Sequence, residues 1–195
     1  EEEQSFLHRF RTLLNKHDIR AVILQDYNKG VLTPTVISTV LREARAHGVL
    51  TAADPKKANF FAYEGVTLFK PNLKEIRDSA PFQVQPQLAS LQAAAAFLRE
   101  RLHHSLTMIT LSEKGLFLDD GLSSELYPTI ARNVADVSGA GDTVISIASL
   151  ALTAGLDLRT TAALSNLAGG QVCEFPGVVS VDRKILAGEL AGWLE

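Results

Sequence analysis

Short apolar runs alternate along this chain with longer segments in which apolar residues recur at helical spacing. The apolar runs at residues 21–24, 49–53, 66–69 and 106–111 are predicted to be buried strands. Strands that alternate with helices over connections of ordinary length predict an α/β fold, in which helices cover a mostly parallel sheet. Because no internal repeat or flexible linker interrupts the pattern, residues 1–195 are predicted to form a single domain.

Capping residues mark the helices that separate these strands. Thr33 and Pro34 are typical of an N-cap followed by proline at the first helical position, and Gly48 closes that helix. Asn72 is placed to cap a short helix that begins at Leu73. Further helices are predicted at residues 6–14, 87–103, 143–154 and 158–172 and from about residue 182, with a turn at 112–115, a hairpin return at 115–118 and a loop from 128 to 142.

Charge and cysteine content exclude several classes of function. The formal net charge is −3, from 19 Lys and Arg against 22 Asp and Glu, and no basic run is present, so nucleic acid is not an expected partner. The apolar stretch at residues 143–156 is shorter than a membrane span of about 20 residues, so no membrane association is expected. Cys173 is the only cysteine, which precludes an intrachain disulfide and indicates the cytoplasm.

Polar residues follow the predicted strands at the point where each strand ends. They are Asp26, Asp54, Asn72 and Ser112. Right-handed crossovers place the carboxyl ends of parallel strands along one edge of the sheet, where open α/β sheets bind ligands. We therefore expect these side chains to converge on one ligand site.

The sharpest local signal is a run of small residues, Gly139, Ala140 and Gly141, followed by Asp142 and an apolar helix. Small residues let the backbone approach a ligand, and the unpaired N–H groups of a helix N-terminus attract anions. A carboxylate there would repel phosphate, but it is useful if it removes a proton from a nucleophile while the N–H groups stabilise developing charge. On the residues alone, an Asp142 that merely stabilises the helix terminus explains the pattern equally well.

Asn72 and Glu75 share one face of the short helix because they are three residues apart. Their oxygens suit Mg²⁺, which takes one or two protein ligands alongside phosphates. On the residues alone, a capping box is the favoured interpretation of this pair, and a solvated turn is the favoured interpretation of residues 112–115. The five histidines lack the spacing of zinc ligands, so a zinc site is not expected.

Two segments resemble the motifs of ribokinase-like (PfkB) carbohydrate kinases. Residues 136–143, Asp-Val-Ser-Gly-Ala-Gly-Asp-Thr, are similar to the family's C-terminal signature, and Asn72 with Glu75 resembles its N-x-x-E magnesium motif. Within the family, residues 26–33, 54–56 and 71–75 resemble the kinases that phosphorylate D-glycero-β-D-manno-heptose 7-phosphate at C1, on the route to ADP-heptose and the lipopolysaccharide core. The resemblance runs from about residue 19 to residue 181.

The resemblance implies a fold and a catalytic group. The fold would be a ribokinase-like three-layer α/β/α arrangement. Asp142 would be the general base that deprotonates the anomeric hydroxyl of the sugar, and Gly139, Ala140 and Gly141 would form the anion hole for the transferring phosphoryl group. This fits phosphoryl transfer, in which positioning and electrostatics dominate.

The resemblance also implies binding residues for ATP, metal ions and the sugar phosphate. Residues 72–75 (Asn72, Leu73, Lys74 and Glu75) would face ATP and Mg²⁺, with Asn72 and Glu75 acting through their side chains. Ser112 and Gly115 would border the nucleotide, and Asn166 would lie beside the adenine. Asp136 matches a position that helps to hold a monovalent cation such as K⁺ in some members, and Lys29 is a candidate neighbour of the substrate phosphate.

The family's N-terminal part, with its glycine-rich sugar-binding motifs and small β lid, has no counterpart here, and the sequence does not begin with Met. The chain is therefore expected to be the C-terminal, nucleotide-binding part of a longer kinase. Because family lids often assemble across a dimer, a homodimer is one expected state. The expected function is ATP-dependent phosphorylation of the heptose 7-phosphate. The alternatives are another PfkB-type sugar kinase and a non-catalytic ATP-binding module that lacks its sugar-binding half.

Overall fold

The alternation of strands and helices in the sequence is preserved in the computed structural model, which describes residues 1–194. The helices in this part of the chain are α1 (Glu2–Lys16), α2 (Pro34–Ala46), α3 (Leu73–Ser79), α4 (Leu88–Leu102), α5 (Ala140–Thr153), α6 (Leu158–Val172) and α7 (Arg183–Leu194). The strands are β1 (Ala21–Gln25), β2 (Leu50–Asp54), β3 (Leu68–Phe69), β4 (Leu106–Thr110), β5 (Leu116–Asp119) and β6 (Ser124–Tyr127). Single 3₁₀ turns occupy Lys57–Asn59 and Ser112–Lys114.

The six described strands form one sheet in the order β1-β2-β3-β4-β5-β6. Neighbouring strands from β1 to β4 are parallel, whereas β5 pairs antiparallel with both β4 and β6. The register places Gln25 beside Asp54 at the carboxyl ends of β1 and β2. The predicted mostly parallel sheet is therefore confirmed, and its parallel strands end along a common edge.

Helices cover both faces of this sheet, because successive side chains of a strand point to opposite faces. Ala53 and Phe69 pack into a core with residues of α2 and α4, while their neighbours Ala52 and Leu68 pack into a second core with residues of α5 and α6. The result is three layers, with the sheet in the middle. The predicted α/β/α arrangement is thus present.

The main differences from the sequence-based predictions are two boundaries and one missed strand. β3 comprises Leu68–Phe69 rather than residues 66–69, and Pro71, which has no N–H to donate, stops it. β6 was not predicted, because Ser124–Tyr127 contains no apolar run and owes its extended form to pairing with β5. α5 begins at Ala140 rather than at residue 143, so that the small residues form the first helical turn itself.

None of the described helices is long and apolar enough to span a bilayer.

Candidate functional site

The first turn of α5 lies over the carboxyl ends of β1 and β2. Gly139 is the N-cap residue of α5 and has a left-handed backbone with φ of 80°. That conformation favours glycine, and a Cβ there would also lie 3.2 Å from Cγ1 of Val178. Beyond Ala140 and Gly141, the carboxylate of Asp142 is therefore placed on the first turn, where the helix dipole favours negative charge.

The Asp142 carboxylate does not cap α5. It accepts a hydrogen bond from the side-chain amide of Gln25 through Oδ1, and one at 2.6 Å from the Tyr27 hydroxyl through Oδ2. The helix N-terminus has no side-chain cap. The N–H of Ala140 donates to the carbonyl of Val137 at 3.3 Å, whereas the N–H groups of Gly141 and Asp142 lack a partner within the helix. The arrangement therefore places a carboxylate and unpaired N–H donors at the same corner.

A buried ion pair lies beneath this turn. The Lys70 ammonium, 2% exposed, is 3.1 Å from Oδ2 of Asp54, which is also buried. A Cβ added at Gly141 would lie at ordinary contact distance, 3.6 Å from Lys70 Nζ and 3.8 Å from Asp54 Oδ2. The backbone of the α5 turn therefore lies close to a fixed cation, an arrangement that suits an anionic ligand.

The ion pair continues from Asp54 to the second motif. Lys56 Nζ lies 3.7 Å from Asp54 Oδ1 and 2.6 Å from Glu75 Oε1. Burial disfavours the charged Lys56, but the hydrogen bond to Glu75 and the two carboxylate charges outweigh burial and raise its pKa above the ordinary value. A chain of alternating charges, Lys70–Asp54–Lys56–Glu75, therefore connects the α5 turn with the start of α3.

Asn72 and Glu75 form the capping box that the sequence allows. Asn72 Oδ1 accepts a 2.8 Å hydrogen bond from the N–H of Glu75, and Glu75 Oε2 accepts one of the same length from the N–H of Asn72. The two neighbouring positions point elsewhere: Leu73 packs against the core, and Lys74 pairs with Asp78 at 2.8 Å on the surface. Of the four residues in this segment, Glu75 belongs to the ion-pair chain, and Asn72 is bonded to Glu75 through the capping box.

Three further predicted residues gather beyond the carboxyl end of β4. Ser112 begins a 3₁₀ turn with φ of 56°, and Gly115 follows it with φ of 93°. A Cβ at Gly115 would lie 1.9 Å from the carbonyl oxygen of Tyr127, so this position requires glycine. Asn166 donates to the same carbonyl at 3.2 Å and to that of Pro128 at 2.9 Å. The structure therefore brings Gly115 and Asn166 against one segment.

The remaining two predicted residues flank the α5 turn. The Asp136 carboxylate accepts hydrogen bonds from the N–H and hydroxyl of Ser138 and from the N–H of Gly177. The Ser138 bonds and that of Gly177 lower the pKa of Asp136 below its ordinary value. Lys29 is exposed in the loop after β1, two residues beyond Tyr27.

Gln25, Tyr27, Lys56 and Lys70 were not among the predicted site residues. Tyr27 and Lys56 lie within the segments whose resemblance was noted, and each follows a predicted strand end, which was an available signal. Lys70 could have been noticed as a charged residue placed directly between a predicted buried strand and a proline.

Asp26, expected at the ligand edge, is instead buried. There it accepts hydrogen bonds from the N–H of Asn28 at 2.6 Å and from the hydroxyl of Tyr63 at 3.0 Å.

The sequence matches known proteins over most of its length. Residues 13–184 match the profile of the pfkB family carbohydrate kinases. The chain is 40% identical over 177 residues to the bifunctional protein HldE of Granulibacter bethesdensis, covering 87% of this chain and 36% of that protein. It is 36% identical over 194 residues to the HldE protein of Wolinella succinogenes, covering 100% of this chain and 39% of that protein. The chain thus spans little more than a third of the length of these curated relatives.

Solved structures share the fold at much lower sequence identity. Phosphofructokinase-2 from Escherichia coli in complex with potassium superimposes with a TM-score of 0.87 at 14% identity, covering 100% of this chain and 62% of that one. Arabidopsis thaliana ribokinase, complexed with ribose and ATP, superimposes with a TM-score of 0.78 at 18% identity, covering 95% of this chain and 58% of that one. The likeness confirms the ribokinase-like fold. The match over residues 13–184 establishes that this chain belongs to the pfkB family of carbohydrate kinases.

Proposed function

We propose that this chain carries the ATP-binding and phosphoryl-transfer half of a sugar-phosphate kinase, with D-glycero-β-D-manno-heptose 7-phosphate, phosphorylated at C1, as its substrate. The observation that supports this most directly is the first turn of α5. There the Asp142 carboxylate, the unpaired N–H groups and the buried Lys70–Asp54 pair lie together. A base beside an anion-binding helix terminus is what transfer of a phosphoryl group to a hydroxyl requires.

In the proposed reaction Asp142 accepts the proton of the sugar hydroxyl as the hydroxyl oxygen bonds to the terminal phosphorus of ATP. The bond from that phosphorus to the bridging oxygen breaks, and ADP leaves with the electron pair. The N–H groups of Gly139 and Gly141 stabilise the negative charge on the transferring group, with the helix dipole and the buried Lys70 beside them. The N–H of Ala140 instead donates to the carbonyl of Val137 at 3.3 Å. Because these groups are fixed before the reaction, little reorganisation opposes it.

Asn72 and Glu75 fit a magnesium site, since both present oxygens at the end of the ion-pair chain. Bound Mg²⁺ would neutralise charge on the ATP phosphates. In the described structure the Lys56 ammonium lies 2.6 Å from the Glu75 carboxylate and balances its charge. Asp136, with its lowered pKa and exposed carboxylate, is the proposed ligand for a monovalent cation such as K⁺.

The nucleotide base would lie at the end of β4. Gly115 and Asn166 both contact the segment that begins at Tyr127, and Ser112 precedes them in the 3₁₀ turn. Glycine at residue 115 lets the chain pass close to this segment. We place the adenine and ribose of ATP beside these three residues, and the phosphates between them and α5.

The choice of sugar rests on sequence similarity. Residues 26–33 and 54–56 resemble the heptose 7-phosphate kinases, and the curated relatives named HldE are 36–40% identical to this chain. Lys29, exposed in the loop that follows β1, is the proposed contact of the 7-phosphate. Since the chain spans about a third of those relatives, further sugar contacts are expected from outside it.

The test is product formation from a panel of acceptors. Mg-ATP is incubated with D-glycero-β-D-manno-heptose 7-phosphate, fructose 6-phosphate or ribose, and the products are identified by ³¹P NMR. The proposal predicts a C1 phosphate on the heptose 7-phosphate and much less product from the other two sugars. Preferential phosphorylation of another sugar would mean that this is a pfkB kinase of different specificity. ATP binding with no transfer to any sugar would favour the non-catalytic module.

A further inference from the structure

Two side chains from the end of one strand hold both oxygens of the Asp142 carboxylate. Gln25, the last residue of β1, donates its side-chain amide to Oδ1, and the hydroxyl of Tyr27 donates to Oδ2 at 2.6 Å. The two residues reach the same group because side chains two residues apart in an extended chain point the same way. Asp142 is therefore fixed from across the sheet edge rather than by its own helix.

The fold has little need of these two hydrogen bonds. The Tyr27 side chain is more than half exposed, at 58%, so its ring buries little apolar surface. Asp142 leaves the N-terminus of α5 without a side-chain cap. What the two bonds do determine is the rotation of the carboxylate about its Cβ–Cγ bond, a torsion that otherwise has a broad preference.

We propose that Gln25 and Tyr27 are positioning residues that orient the Asp142 carboxylate for proton abstraction. This inference rests on the proposed function. A carboxylate has about four acceptor sites, so one donor on each oxygen leaves lone pairs for the sugar hydroxyl. The donors thereby set the direction of those lone pairs without occupying them.

Tyr27 stays a donor throughout the neutral pH range. Its hydrogen bond to Asp142, followed by burial and the negative charges of Asp142 and Asp54, raises the pKa of Tyr27 above its ordinary value, and the charge of Lys56 opposes them. The amide of Gln25 does not titrate, so it donates at every pH. Both groups therefore keep the protons that they donate to Asp142 at neutral pH.

The first test observes the carboxylate directly. The side-chain ¹³C resonance of Asp142 is assigned by its loss in Asp142→Asn and compared, at neutral pH, in wild type, Tyr27→Phe and Gln25→Leu. The control is Tyr127→Phe, which removes another tyrosine–carboxylate hydrogen bond, to Glu125 at 2.8 Å, at the opposite edge of the sheet. We expect the resonance to shift in the first two variants and not in the control. An unchanged resonance in Tyr27→Phe and Gln25→Leu would overturn the proposal.

The second test is kinetic. Tyr27→Phe and Gln25→Leu should each lower kcat by about tenfold to hundredfold, as expected for a misplaced catalytic group, while KM for ATP and the melting temperature stay near their wild-type values. Added to Asp142→Asn, either substitution should cause no further loss, because it acts only through that carboxylate. A loss that persists in the Asp142→Asn background would contradict positioning.

The two tests separate this inference from the proposed function. If the wild type forms no product with any sugar, the proposed function fails while the ¹³C resonance still decides whether Gln25 and Tyr27 hold Asp142. If the wild type is active and Asp142→Asn is not, the proposed function stands. The two positioning variants then decide the inference alone.

Discussion

At the scale of single residues, the hydrogen bonds of Asp142 favour the proposed role as a base over that of a helix cap. Its carboxylate binds Gln25 and Tyr27 instead of the N–H groups of its own helix. The N–H groups of Gly141 and Asp142 therefore remain available, which a capping carboxylate would prevent. The sequence allowed both interpretations equally, and the direction of one side chain favours the catalytic one.

Gly139 offers a residue-scale test, with Gly155 as its matched control. Both have positive φ, 80° and 78°, but a Cβ at Gly139 would lie 3.2 Å from Val178, whereas a Cβ at Gly155 meets nothing within 4 Å. Gly155→Ala should cost about 1–2 kcal/mol of stability from backbone strain alone. Gly139→Ala should cost a similar amount, because the exposed Val178 side chain can move by a few tenths of an ångström, but it should also reduce turnover because it distorts the α5 turn. Urea denaturation measures the stability of both variants and ADP release measures their turnover. A Gly139→Ala protein with the turnover of Gly155→Ala would refute the role given to the α5 turn.

His104 gives a prediction about pH. Its Nε2 lies 2.6 Å from the Thr107 hydroxyl, and burial, with a smaller effect of Arg99, lowers the pKa of His104 to about 4. Because the unfolded chain binds a proton near pH 6.5 and the folded chain near pH 4, stability is greatest above pH 6.5. It should fall by about 3 kcal/mol as the pH drops from 6.5 to 4.

The measurement is the free energy of unfolding at a series of pH values in wild type, His104→Gln and His8→Gln. His8 is exposed on α1 and serves as the control. The slope between pH 6.5 and 4 should flatten in His104→Gln and persist in His8→Gln. An unchanged slope in His104→Gln would show that His104 is not the responsible group.

At the scale of elements, the carboxyl ends of β2 and β3 and the start of α3 are joined by charges. Lys70 follows β3, Asp54 ends β2, and Glu75 lies in the first turn of α3, with Lys56 between the two carboxylates. These groups lie far apart in the sequence and meet because parallel strands end at one edge. The ion-pair chain thus fixes the distance between the two motifs that are proposed to bind ATP.

Replacing Lys70 should show how much the ion-pair chain contributes to the free energy of unfolding. Lys70→Met leaves Asp54 buried with Lys56 at 3.7 Å as its remaining partner, and removing one member of a buried pair costs about 3–5 kcal/mol. Lys70→Met combined with Asp54→Leu should recover part of the loss. Lys74→Met is the control, because Lys74 pairs with Asp78 on the surface, where ion pairs contribute little. A Lys70→Met protein as stable as wild type would contradict this account.

The sequence predicted helices and strands well where hydrophobic periodicity or capping residues mark them. It did less well where pairing with a neighbouring strand determines the conformation. Thr33 and Pro34 identified α2, and Thr33 does accept a hydrogen bond from the N–H of Val36. β6 was missed because its extended form comes from a neighbouring strand. Lys70 was missed because sequence spacing does not show which carboxylate a lysine will meet across two strands.

At the scale of the whole molecule, the edge of the sheet brings together the groups that surround Asp142. β1 supplies Gln25, β2 supplies Asp54, and α5 lies over both with Asp142. The parallel topology predicted from the sequence implies that these side chains meet at one edge. Which side chain bonds to which was visible only in the structure. In relatives of this family the chain is longer, and the chain described here corresponds to little more than a third of the HldE proteins.

The most direct measurement compares wild type with Asp142→Asn for two properties, ADP formation from Mg-ATP with D-glycero-β-D-manno-heptose 7-phosphate and ATP affinity by calorimetry. Asn keeps the size of the side chain and removes the base. We predict that turnover falls by about 10²–10⁴-fold while ATP affinity changes little. Turnover that survives the substitution at its wild-type rate would contradict the assignment of Asp142 as the base.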